Sequence, residues 1–243
     1  MTTELPDPIR AFDDAQRRAI AMLKDVRGRH EAGMSARDVV ELAETRLDTH
    51  GFDRWYHAPE VRIGPGAGGG GLLYRPSSRT KLEPGMLIGI DLGPATDTAY
   101  GDIGFTLCFG ADEPKVVKVA RENVRACCGY ASRWKTVGEI FIFAQAWAVN
   151  NRMVLAGESA VGHRVLPKEG FLATGFPRSA HAATLLPSNR IHKLYPIRMK
   201  GMFAIRPAVK HGELSAAFEE VIWIQDEHRK VLGRDDENEI GVF

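Results

Sequence analysis

The chain has 243 residues, 44% hydrophobic and 26% charged, with 32 Lys and Arg against 31 Asp and Glu. That length suits one large domain or two small ones. A net charge of +1 gives no electrostatic case for nucleic acid or an anionic membrane and favours a small or neutral partner.

The three cysteines, Cys108, Cys127 and Cys128, are odd in number and lack zinc-site or redox spacing, which fits a reducing cytoplasm. The first ten residues carry acids and prolines where a secretory leader would be basic and then apolar. No apolar run approaches the roughly 18 residues that a membrane span needs. The expectation is a cytoplasmic protein.

Apolar residues recur at helical spacing from Ile9 through Phe12, Ala19, Met22 and Leu23 to Val26, predicting a helix over about 9–30. After a break at Gly33, Ser35 with Asp38 three residues on is a capping-box start for a second helix, through Val39, Leu42, Ala43 and Leu47 to Gly51. The glycine-rich stretch that follows contains a formal GxGxxG at Gly64, Gly66 and Gly69. A dinucleotide site needs a helix N-terminus directly after it. Here Leu72-Leu73-Tyr74-Arg75-Pro76 follows instead, so a mobile loop beside a site is expected.

Two apolar runs of strand length, from Gly85 to Gly93 and from Tyr100 to Leu107, flank the turn formers Pro94 to Thr98 and predict a β-hairpin. A turn centred between Thr96 and Asp97 sets Asp91 directly opposite Asp102, with Cβ atoms about 4.5–5.5 Å apart. Two carboxylates so placed among Ile, Leu and Phe must share a proton or take a cation between them. A divalent metal is the usual solution, and hard oxygen ligands suit Mg, Mn, Co, Zn or Fe. The alternative is that one Asp caps the turn while the other is solvated.

The pattern then repeats. Val119, Ala120, Val124 and Cys127 lead to Thr136-Val137-Gly138-Glu139, another cap with its acid, and an apolar helix to about Met153. Gly201-Met202 recurs in the manner of Gly85-Met86 and leads into Arg206-Pro207. Each half therefore reads helix, helix, hairpin, over about 9–114 and 115–233. Roughly fifteen extra residues precede the second hairpin. Such duplication predicts one α+β domain whose two pseudo-symmetric halves share a curved antiparallel sheet.

In the second hairpin Arg206 and Glu219 stand where the first has its aspartates. Glu219-Glu220, running into Val221-Ile222-Trp223-Ile224, places one acid inward and one outward, although by itself the pair reads as a solvated edge. His163, after Gly162, and His181, between Ala180 and Ala182, read by themselves as packed core histidines more readily than as ligands. His30, His50, His57, His192, His211 and His228 form no usable pattern.

Taken together, Leu82-Glu83-Pro84-Gly85-Met86 through Ile90-Asp91-Leu92-Gly93, Tyr100-Gly101-Asp102-Ile103, Gly201-Met202 and Phe218-Glu219-Glu220 resemble the pita-bread family. That family includes methionine aminopeptidase, prolidase, aminopeptidase P and the metal-free creatinase. The resemblance covers nearly the whole chain and is nearer to prolidase and aminopeptidase P, without the separate N-terminal domain common in those two.

The resemblance implies the pita-bread fold and a metal-dependent hydrolase cleaving the C–N bond of a small-molecule or short-peptide substrate. It implies one or two divalent ions (Mn, Co, Zn or Fe) held by Asp91, Asp102, His163 and Glu219. It implies that His181 contacts substrate; the expected site further has Arg206 and Tyr74 binding substrate, and His181, Glu219 and Arg206 in catalysis, although Arg206 is not a family residue. It also implies a homodimer, with no nucleic-acid or membrane partner.

Three departures stand out. Arg206-Pro207 replaces the family's Glu-Pro, Leu73 takes the place of another pocket histidine, and Phe105 replaces the arginine that usually follows the second Asp. A guanidinium 4 Å from a carboxylate, at an effective dielectric near 20, is worth about 4 kcal/mol, enough to compete with a second divalent ion. One ion rather than two is therefore expected. Two further readings stay open: a metal-free, creatinase-like enzyme in which Arg206 grips a substrate carboxylate, and a binding module without activity.

Overall fold

A computed structural model describes residues 5–69, 75–156, 161–165, 190–194 and 196–242. Among them are helices α1 (Asp7–Gly28), α2 (Ala36–Arg46), α3 (Lys115–Tyr130) and α4 (Val137–Asn150). Helix α1 buries Phe12, Ala15, Ala19, Met22, Leu23 and Val26 at three- and four-residue spacing, the stripe read from the sequence.

Both capping boxes form. Ser35 Oγ accepts from the Asp38 amide at 3.3 Å while the Ser35 amide donates to Asp38 Oδ2 at 2.7 Å. Thr136 and Glu139 repeat the exchange at 3.2 and 2.7 Å. Each cap is worth about 1 kcal/mol and fixes where its helix begins. Helix α2 stops earlier than expected, at Arg46, and the chain passes through a 3-10 turn at Asp48–His50 to Gly51, whose φ of 74° suits glycine.

The strands are β1 (Arg54–Ile63), β2 (Leu87–Ala95), β3 (Ile103–Cys108), β4 (Val154–Leu155), β5 (Gly162–Val165), β6 (Gly201–Ile205), β7 (Val209–His211), β8 (Leu214–Ala216), β9 (Phe218–Gln225) and β10 (His228–Val231). A curled antiparallel sheet runs β1-β2-β3-β9-β6-β5, with β10 beside β9, and β4-β7-β8 form a small second sheet. The two hairpins join where Gly104 pairs with Glu219 and Phe105 with Phe218. The first and second halves thus contribute β1-β2-β3 and β9-β6-β5 to one sheet.

Strand alternation divides the sheet into two faces. Phe105 and Phe218 lie on the face covered by α3, where the Arg121 guanidinium sits 5.1 Å from the Phe218 ring centroid. Asp91, Gly104 and Glu219 lie on the other face.

The expected hairpin register is corrected. Asp91 pairs with Gly104 and Leu92 with Ile103, so Asp91 and Asp102 are diagonal neighbours, not opposed. The turn spans residues 96–99. The Thr96 amide donates to Ala99 O at 2.9 Å, and Thr96 Oγ1 accepts from the amides of Thr98 and Ala99 at 3.3 Å each. A shift of two residues keeps both aspartates on the same face, which a shift of one would not.

Two further expectations change. The start of the glycine-rich stretch is pinned, because Gly68 N donates to Ser215 O at 3.0 Å and Ser215 N to Pro65 O at 2.7 Å. Glu219 and Glu220 do point to opposite faces, but neither is solvated. Glu220 is fully buried, held by Arg234 at 2.7 and 3.2 Å and by the Gly241 amide at 2.7 Å. Among the described residues no helix is long and apolar enough to cross a membrane.

Candidate metal centre

One transverse row of the sheet carries the charges. Glu60 of β1 pairs with Asp91 of β2, Asp91 with Gly104 of β3, and Gly104 with Glu219 of β9. Arg206 follows β6 directly, and the register of Ile205 with Glu220 carries it to the position opposite Glu219. Gly104 gives the row a gap instead of a side chain, and the carboxylates on either side lean over it.

Into this space come Asp102, His163 and His57. His163 Nε2 lies 3.2 Å from Asp102 Oδ2. Arg206 Nε sits between Asp91 Oδ2 at 3.6 Å and Glu219 Oε2 at 3.5 Å. His57 Nε2 lies 3.5 Å from both Asp91 Oδ1 and Asp102 Oδ1. Asp102 and Glu219 are 2% exposed, so their charges are almost wholly removed from water.

The sequence-predicted residues Asp91, Asp102, His163, Arg206 and Glu219 therefore come together. Tyr74 and His181 lie outside the described residues, as does most of the extra segment before the second hairpin. Phe105, on the far face, pairs with Phe218 and has no part in the cluster.

Three participants were not read from the sequence. His57 and Glu60 lie on β1, an edge strand whose Pro59 and two register shifts spoil the alternation that would have revealed it. The aromatic and β-branched content of Trp55, Tyr56, Val61 and Ile63 was the available signal. The third is Gln16 of α1, 1% exposed, whose side chain donates to Asp102 O and accepts from Asp102 N, both at 2.9 Å. It holds the backbone of Asp102 just before β3 begins, where no ladder partner does.

The electrostatics favour positive charge. Burial pulls the His57 imidazole down, but its hydrogen bond to Asp102 and the charges of Asp91 and Asp102 outweigh this and push it up to about 10. Burial likewise opposes charge on His163, and Asp102 raises it. Burial, then Asp102 and Asp91, push the Glu219 carboxyl well above its usual range. Asp102 is held below its usual range because His163 and His57 outweigh its own burial.

Asp91 Oδ1 and Asp102 Oδ2 are buried without a well-aligned hydrogen bond. Two overlapping groups, His57-Asp91-Asp102 and Asp102-His163-Glu219, bring one ligand atom per residue within 4.8 Å of one another. Carboxylate oxygens and imidazole nitrogens at this spacing fit a first-row divalent ion, and the under-used carboxylate oxygens are what such an ion would satisfy.

The family model for metallopeptidase family M24 matches residues 10–226, and the chain belongs to that family. No curated protein sequence matches it. Among solved structures it resembles X-Pro aminopeptidase from Thermotoga maritima (TM-score 0.74, 15% identity, 96% of this chain and 63% of that one). It also resembles prolidase from Pyrococcus furiosus (0.73, 17%, 96% and 65%). The methionine aminopeptidase of Thermotoga maritima matches over 96% of this chain and 98% of its own, with TM-score 0.73 and 17% identity. The chain thus spans under two thirds of the first two and nearly the whole of the third. The shared fold is the pita-bread fold.

Proposed function

We propose that the chain is a single-domain, metal-dependent hydrolase that cleaves an amide or peptide C–N bond of a small substrate, in the manner of prolidase and X-Pro aminopeptidase. The observation that supports this reading is the convergence of Asp91, Asp102, His163 and Glu219 on one space in which Asp91 Oδ1 and Asp102 Oδ2 lack well-aligned partners. A bound divalent ion would polarise the scissile carbonyl and lower the pKa of water at the site.

The protein's own groups do the rest. Asp102 presents one oxygen to each histidine. Glu219 Oε, buried beside Asp102 and Asp91, is placed to take a proton from the attacking water. Arg206 Nε, 3.6 Å from Asp91 and 3.5 Å from Glu219, sets a fixed positive charge between the two carboxylates. Helix α1 fixes Asp102 through Gln16.

Charge favours one ion. With Glu60 paired to Arg62 at 3.6 Å, a divalent cation and Arg206 balance Asp91, Asp102 and Glu219 with both histidines neutral, whereas a second ion would leave excess positive charge in a space shielded from water. The metal-free reading draws support from the same geometry, since His57 and Arg206 already pair the carboxylates. Elemental analysis after purification without chelator, combined with hydrolysis of Xaa-Pro dipeptides, separates the two. One Mn, Co, Zn or Fe per chain with chelator-sensitive hydrolysis is expected. Turnover with no metal would favour the creatinase-like reading, and neither metal nor turnover a binding module.

A further inference from the structure

We propose that His57 is a ligand of the metal centre, binding through Nε2 beside Asp91 and Asp102; the proposal rests on the single-ion site proposed above. Four observations carry it. First, His57 Nε2 is equidistant, at 3.5 Å, from one oxygen of each aspartate, so an ion between those oxygens meets the ring nitrogen as well.

Second, its ring is set in the orientation that ligation needs. His57 Nδ1 lies 3.0 Å from Ala58 O, and a proton there donates to that carbonyl and leaves the lone pair on Nε2, facing the carboxylates. His163 does the same, with Nδ1 3.0 Å from Arg164 O and Nε2 turned to the other oxygen of Asp102. Each histidine uses the carbonyl of the next residue as its anchor.

Third, the two histidines come from the two ends of the sheet path, β1 and β5, so the exchange that relates the hairpins also relates the strands that carry them. The correspondence is of strand and geometry rather than register. His57 pairs with Gly93, two residues past Asp91, and His163 with Ala204, two before Arg206.

Fourth, the ring occupies a slot made for it. A Cβ on Gly93 would collide with His57 Cδ2 and come within 2.7 Å of Nε2, so the glycine after Asp91-Leu92 is what lets the imidazole lie across β2. Arg206 has taken a carboxylate position from the second hairpin, and His57 returns a donor from the first.

The test loads wild type, His57→Ala, His163→Ala and Gly93→Ala with Mn(II) and reads imidazole-nitrogen hyperfine coupling by pulsed electron paramagnetic resonance, with affinity from the free Mn(II) signal. An imidazole coupling that His57→Ala removes is expected in wild type, from an ion in the group formed by His57, Asp91 and Asp102. Gly93→Ala, which displaces the ring while keeping every donor, should lose the same coupling as His57→Ala, with affinity weakened at least about tenfold. It also serves if His57→Ala fails to fold. Bound Mn(II) with one coupling that His163→Ala removes and neither His57→Ala nor Gly93→Ala changes would overturn the role of His57 and leave the metal site standing. Failure of wild type to bind Mn(II) would instead overturn the metallohydrolase reading, and this inference with it.

Discussion

Asp91 and Glu219 face each other across the bare Cα of Gly104, which is the ladder partner of both. A Cβ there would stand 3.5 Å from Asp91 Cγ, 3.5 Å from Glu219 Oε2 and 3.2 Å from Ile90 O. Alanine would need shifts of a few tenths of an ångström, and a larger side chain would fill the space the carboxylates surround. Gly104→Val should lower Mn(II) affinity at least about tenfold while costing about 1–3 kcal/mol of stability, the usual range for overpacking. Parallel metal titration and urea unfolding check this. Unchanged affinity in a folded Gly104→Val protein would show that the ion site does not lie over Gly104.

Arg206 is the next test. Its guanidinium lies between Asp91 and Glu219, and removing it in favour of a carboxylate exchanges a fixed positive charge for a ligand. Wild type should take up one tight equivalent of Mn(II) or Co(II) by calorimetric titration, and Arg206→Glu a second or a tighter first. Two tight equivalents in wild type would defeat the charge argument. No response to the substitution would mean that Arg206 does not compete with metal.

Much of this arrangement was legible because it rests on local rules. The caps at Ser35 and Thr136 are side-chain chemistry within one turn, so the starts of α2 and α4 could be placed from four residues each. Asp91 and Asp102 were recognisable as two acids in apolar strands, and the error in their register came from the turn. Thr96 hydroxyl bonds move its centre by one residue, and the pairing by two. His57 was hidden for another reason. Its strand is bulged and contains Pro59, and its approach to Asp102 depends on the absence of a side chain at Gly93, one strand away. Gln16 is 86 residues from its partner Asp102, a separation no local pattern spans.

On the helix-covered face, Glu220 and Arg234 form a fully buried ion pair that also organises the segment near residue 241. Arg234 donates twice to the carboxylate and once to Val242 O, and Gly241 N completes the set. Arg234→Met leaves an uncompensated buried carboxylate and should cost about 3–5 kcal/mol in urea unfolding, whereas Glu220→Leu with Arg234→Met should cost clearly less than the sum of the single changes. Additive costs would show that the two side chains act independently.

The last prediction concerns acid stability and lies at the end of α1, where both ring nitrogens of His30 are buried without a hydrogen-bond partner. Burial first, and the Arg27 charge second, lower this imidazole from 6.5 to about 4. A folded-state pKa below the unfolded value means that the unfolded chain takes the proton first. His30 therefore adds no pH dependence above about 6.5, draws stability down as the pH falls from about 6.5 to about 4, and adds no further loss below that. The full effect is at most about 3 kcal/mol, and water reaching part of the ring reduces it. His30→Leu should flatten this segment of the profile, so that the wild-type and variant unfolding free energies, measured in urea at pH 7.5, 5.5 and 4.5, diverge in favour of the variant as the pH falls. A constant difference across those three values would mean that His30 is already protonated in the folded chain or is open to solvent.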